Sequence, residues 1–99
     1  MRLTSQQVRI IREKVRETLG RDARVHLFGS RVDDTARGGD IDLYIEVDQV
    51  LVNRAATASR LAAQLQMALG DQRIDVLLVD PQTPRQPIHG VAAREGVAL

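Results

Sequence analysis

The sequence has no cysteine and no tryptophan, one phenylalanine, one tyrosine and three prolines among its 99 residues. Without cysteine there is no disulfide framework and no thiolate chemistry, which fits a reducing, cytoplasmic setting. The two aromatic side chains, Phe28 and Tyr44, are too few for a base-stacking platform. Fourteen basic and 13 acidic residues are interspersed along the chain and leave a formal net charge of +1. A protein that grips long nucleic acid usually concentrates its basic charge, so a polymeric nucleic-acid substrate is disfavoured, whereas a single nucleotide is not. No apolar run approaches the ~18–20 residues of a membrane span. The start, Met1-Arg2-Leu3-Thr4-Ser5-Gln6, turns polar at once and is no signal peptide. No internal repeat or low-complexity tract is present.

What is there reads as one small domain over 1–99, with a core over roughly 4–80 and a tail over 81–99. Thr4 with Gln7 forms a capping-box pattern, and Leu3 with Val8 is placed as a hydrophobic staple. Val8, Ile11, Val15 and Leu19 then recur at helical spacing up to Gly20, predicting a helix over 4–19. Arg24 to Phe28 reads as a short strand ending at Gly29, and the polar, glycine-containing 31–39 as a loop. From Asp40 to Val47 the chain alternates. Ile41, Leu43, Ile45 and Val47 share one face; Asp40, Asp42, Tyr44 and Glu46 share the other. A second helix is predicted over 52–69, closed by Gly70, and a third strand over 72–79. Pro81, Pro84 and Pro87 interrupt regular structure, and 88–99 has room for one short helix. The fold class is therefore α+β, a small mixed β-sheet with two main helices packed on one face.

The chemistry concentrates in a few positions. Strand geometry places Asp40 and Asp42 on one face with Cα atoms about 6.5–7 Å apart. Carboxylates that close repel unless a cation lies between them, and hard oxygen donors suit Mg²⁺, which prefers a few carboxylates plus substrate phosphates. Asp75 points away from the apolar face of its own strand and can join the pair if the two strands are neighbours. Three converging carboxylates could hold two ions, one for the attacking and one for the leaving oxygen. Gly29 lets backbone approach a ligand closely, and Ser30 with nearby N–H groups could hold terminal phosphates. Arg31 and Arg37, on the following loop, could offset phosphate charge.

Leu27-Phe28-Gly29-Ser30-Arg31, followed by Gly38-Gly39-Asp40-Ile41-Asp42-Leu43, resembles the signature of the minimal nucleotidyltransferases, which belong to the polymerase-beta-like nucleotidyltransferase superfamily. The resemblance covers roughly 4–80 and includes Arg73-Ile74-Asp75-Val76. The spacer 31–39 is nine residues, within or just short of the family's usual length. The resemblance implies that Asp40 and Asp42 ligate metal, that Asp75 completes the triad and helps activate an acceptor hydroxyl, and that Gly29 and Ser30 hold the nucleotide's phosphates. The implied reaction transfers a nucleoside monophosphate, AMP from ATP, to a hydroxyl with Mg²⁺ and release of pyrophosphate. Family members are often paired with a small helical HEPN protein, so the implied partner is a HEPN-type toxin and the implied role that of an antitoxin adenylylating a partner's tyrosine.

Plainer readings stand beside these. Asp33 and Asp34 read as solvated loop residues, Glu46 as a surface carboxylate, Tyr44 as a packing residue, and His26 and His89 as structural. Two other functions fit the same residues: a binding module that silences its partner by covering a surface, and a transferase acting on a small molecule such as an aminoglycoside. The latter is disfavoured because the assigned core leaves no candidate substrate pocket. An exposed sheet edge and the short apolar tail suit self-association or partner docking.

Overall fold

A computed structural model describes residues 3–28, 41–70, 73–84, 86, 90 and 96–99. The first helix, α1 (Ser5–Leu19), starts on the expected capping box. The Thr4 N–H donates to Gln7 Oε1 at 2.9 Å, and the Gln7 N–H donates to Thr4 Oγ1 at 3.1 Å. It ends at Gly20, whose φ of 91° is open to glycine and whose N–H donates to the Arg16 carbonyl. The strand β1 (Arg24–Phe28) follows, then β2 (Ile41–Glu46), α2 (Arg54–Leu69), β3 (Ile74–Val79) and β4 (Val97–Ala98). α2 begins two residues later than its apolar pattern suggests because Asn53 takes the cap, its side chain accepting from the Ala56 N–H at 3.0 Å.

The four strands form one mixed sheet in the order β3-β2-β1-β4. β1 runs antiparallel to β2 and to β4, while β2 and β3 run parallel. A parallel pair needs a crossover connection, and α2 supplies it. One apolar cluster joins Ile11 and Val15 of α1, Leu61 and Leu65 of α2, and the inward residues Val25, Leu27, Ile41, Leu43, Ile45, Ile74 and Leu78 of the sheet. Both helices therefore pack on the same face, as the alternation in β2 requires.

The opposite face differs from its expected half-exposed state. Tyr44 is fully buried and forms a second small cluster with Val79, against which Phe28 and Leu77 pack. The ring of His26, opposite Tyr44 in the β1–β2 register, lies 6.0 Å from the tyrosine ring at a tilt of 48°. The tail also departs from expectation. Val97 and Ala98 pair with Leu27 and His26, and the Leu99 N–H donates to the Val25 carbonyl at 2.9 Å. Part of the apolar tail is thus used within the fold, closing the β1 side of the sheet. Most of the segment expected to hold a short helix lies outside the described residues.

A single carboxylate fixes the connection into α2. Asp80, 7% exposed at the end of β3, accepts from the Leu51 N–H at 2.9 Å, the Gln82 N–H at 2.9 Å and the Thr83 hydroxyl at 3.0 Å. The Leu51 hydrogen bond, reinforced by Thr83, Gln82 and the charge of Arg54, holds the Asp80 carboxyl below its ordinary pKa of 3.8, against an opposing push from burial. A depressed carboxyl stabilises the fold above its unfolded pKa and loses that contribution as pH falls through the folded value. Asp80→Asn is therefore expected to lower the melting temperature at neutral pH. The gap between variant and parent should close as melts are taken from pH 7 down below about 3.8. A gap independent of pH would mean that the carboxylate charge is not what holds the loop.

Candidate active site at the paired ends of three strands

The parallel register aligns Asp42 with Asp75. Neighbouring strands lie about 4.7–4.9 Å apart, and paired residues in register point to the same face. Both carboxylates therefore leave the sheet on the side away from the helices, next to each other. β1 and β2 are aligned so that Phe28 lies opposite Asp42, which brings the chain leaving β1 to the same corner. The Ile41 N–H donates to the Arg73 carbonyl at 3.0 Å, starting the parallel ladder at this point. The Arg54 guanidinium donates to the Leu78 carbonyl at 3.1 Å and ties the start of α2 to β3.

The two carboxylates differ in setting. Asp42 lies on an inner strand and is half-buried. Asp75 lies on the edge strand with its side chain 51% exposed, and Arg73 approaches it at 3.7 Å from a still more open position. An exposed pair at that separation is worth little, so Arg73 leaves Asp75 available to other partners. The alternation that put Asp75 on the polar face of its strand is matched by the strand adjacency it needed. Asp40, Gly29, Ser30, Arg31 and Arg37, with Asp33, Asp34 and His89, lie outside the described residues. Among the described residues no cluster of three or more His, Cys, Asp or Glu side chains forms.

Further along the same face, Glu46 and Asp48 are bridged by Arg24, whose guanidinium lies 3.3 Å from Glu46 Oε2 and 3.1 Å from Asp48 Oδ1. These hydrogen bonds, the one to Asp48 foremost, raise the arginine's pKa further above neutrality. Glu46 thus serves an ion pair at the far end of β2, away from Asp42 and Asp75. A cavity of about 360 Å³ opens between α1 and the β1–β4 edge. Its lining includes Arg12, Arg16, Arg21, Arg24 and His26, and neither Asp42 nor Asp75. The Nδ1 atom of His26 is buried with no hydrogen-bond partner among the described residues.

Two parallel-paired carboxylates near the end of β1, on a four-stranded sheet backed by two helices, suit a nucleotidyltransferase architecture. The chain belongs to the nucleotidyltransferase domain family, whose pattern it matches over residues 8–94. Its fold is shared with a mutant MntA–HpeT toxin–antitoxin structure at a TM-score of 0.71 and 22% identity, covering 93% of this chain and 70% of the other. It is also similar to a structure of the tri-AMPylated HEPN toxin of Shewanella oneidensis in complex with its MNT antitoxin. There the TM-score is 0.55 and the identity 25%, over 80% of this chain and 56% of the other. No curated relative matches the sequence. No helix among the described residues is long and apolar enough to cross a membrane.

Proposed function

We propose that the chain is a Mg²⁺-dependent nucleotidyltransferase that moves AMP from ATP to a hydroxyl on a HEPN-type toxin, and so acts as its antitoxin. The observation that carries this reading is the in-register pairing of Asp42 with Asp75 on the sheet face away from the helices. Asp40 precedes Asp42 by two residues, so a strand continued by one residue would bring a third carboxylate to the same face. The similar MntA–HpeT structure carries glutamate in place of two aspartates spaced in the same way. The similar complex from Shewanella holds an AMPylated HEPN toxin with its antitoxin.

The donor set fits magnesium: carboxylate oxygens only, too few to enclose the ion, with room for phosphate oxygens. Held by Asp40, Asp42 and Asp75, Mg²⁺ would neutralise the triphosphate and stabilise the entering and leaving oxygens. The protein's own part is placement. Gly29 and Ser30, directly after β1, would hold the phosphates, with Arg31 balancing their charge. Asp75, on the edge strand and half-exposed, is the carboxylate a hydroxyl carried by another molecule can reach. It would accept the hydroxyl proton as the oxygen bonds to the α-phosphorus and the bond to the β-phosphate breaks, releasing pyrophosphate. The half-buried Asp42 is suited to a fixed ligand role, since it is less free to move and less screened by water.

The test is direct. Incubated with ATP, Mg²⁺ and the product of the adjacent open reading frame, the chain should raise the mass of that protein by one or more AMP units. An unchanged mass, with neutralisation intact in an Asp40→Ala/Asp42→Ala variant, would favour silencing by surface cover and defeat the transfer reading.

A further inference from the structure

The near-neutral total charge hides a segregated surface. Arg9, Arg12 and Arg16 recur at i, i+3 and i+7 on α1, positions that share a helix face. All three line one surface pocket, and Arg12 and Arg16 also line the adjoining cavity with Arg21 and Arg24. Arg24 is already held by Glu46 and Asp48. The other four are exposed and form no ion pair among the described residues, of which Glu13 is the single acidic one lining either pocket. Val8 and Leu99, both half-buried, add aliphatic surface to the lining beside the buried Val15 and Val25.

We propose that this arginine strip docks an acidic, partly apolar segment of a partner protein. Four like charges held together raise their own electrostatic cost, which an anionic partner relieves. Guanidinium is suited to this: it pairs with carboxylates through two parallel hydrogen bonds and gives up its hydration more readily than an ammonium. Arg9 to Arg16 alone extend about 10 Å along the helix, longer than one phosphate group. The aliphatic part of the lining has no use for a free phosphate but accepts the side chains that alternate with carboxylates in a peptide. No phenylalanine, tyrosine or tryptophan lines either pocket, so the stacking that single-stranded nucleic acid relies on is missing. The surface lies apart from Asp42 and Asp75, and the proposal does not depend on the transfer reaction.

The experiment uses the full chain and three fluorescent or competing probes: a labelled peptide of alternating glutamate and leucine, labelled oligouridylate, and unlabelled pyrophosphate. The peptide should bind at low ionic strength, weaken with added salt, and resist displacement by pyrophosphate at equal concentration. Arg12→Glu/Arg16→Glu should weaken it at least ~10-fold, and Arg12→Gln/Arg16→Gln by a smaller factor with an unchanged melting temperature. Lys14→Glu/Arg60→Glu, an equal charge change elsewhere on the helices, should alter it less than about threefold. Equal weakening by the two charge reversals would reduce the strip to general charge attraction and overturn the proposal. So would tighter binding of oligouridylate than of peptide, or no peptide binding at all.

Discussion

Asp42→Asn should lose nucleotidyl transfer by a factor on the order of 10²–10³, the range seen when one preorganised electrostatic contact to a transition state is removed. Its fold should survive. The change is isosteric, and it removes one of two carboxylates that lie in register on adjacent strands and repel each other when no cation is present. At this partly exposed corner, solvent screening keeps that repulsion to about 1 kcal/mol or less. The variant's melting temperature in EDTA should therefore equal or slightly exceed the parent's. Magnesium should raise the parent's melting temperature and leave the variant's nearly unchanged, because binding to the native state alone is what stabilises it. Pyrophosphate release measured beside thermal melts, with and without Mg²⁺, separates the two effects. Transfer within threefold of the parent would remove Asp42 from the reacting machinery.

The parts of this architecture that were legible in the chain are those whose signal is local. The Thr4–Gln7 box is decided within four residues and sits where the pattern put it. The alternation of Ile41, Leu43 and Ile45 with Asp42 and Tyr44 fixed which way β2 faces, because period two admits only one assignment. The partnership of Asp42 with Asp75 needed one more fact, strand adjacency, which no alternation contains; the helix between the strands made a parallel pairing natural. What escaped was long-range or two-sided. Two residues, Val97 and Ala98, are too short to show a period, and only the open side of β1 makes them a strand. The burial of Tyr44 agrees with its reading as a packing residue: Leu77 and Val79 share a face with Asp75, so that side of the sheet is not wholly polar. Asp80, followed by Pro81 and Thr83, carried the chemistry of a side-chain-closed turn. The arginine strip was visible at helical spacing, yet along the linear sequence its charges are interspersed with Glu13, Lys14 and Glu17 and do not stand out.

Leu43→Ala is expected to have the opposite profile to Asp42→Asn, although the two residues are adjacent. Leu43 is fully buried on an inner strand, in register with Leu27 on one side and Val76 on the other, beneath the helices. Truncation removes transfer energy and leaves a cavity that surrounding strands cannot close without breaking their ladders; such changes cost roughly 2–5 kcal/mol. Domains of this size have about 5–15 kcal/mol in total, so the variant should keep only part of its stability. At 4–8 °C per kcal/mol, the melting temperature should fall by roughly 8–40 °C. The site geometry belongs to the backbone register, which a cavity on the helix side does not change. Folded molecules should therefore keep transfer near the parental rate at low temperature. ATP with Mg²⁺ should recover part of the lost stability, by about 2.7 kcal/mol at a hundredfold excess over the dissociation constant. A variant that melts near the parent would show that Leu43 is not a keystone of the core. One that stays folded but inactive would show that core packing, and not strand register alone, holds Asp42 against Asp75.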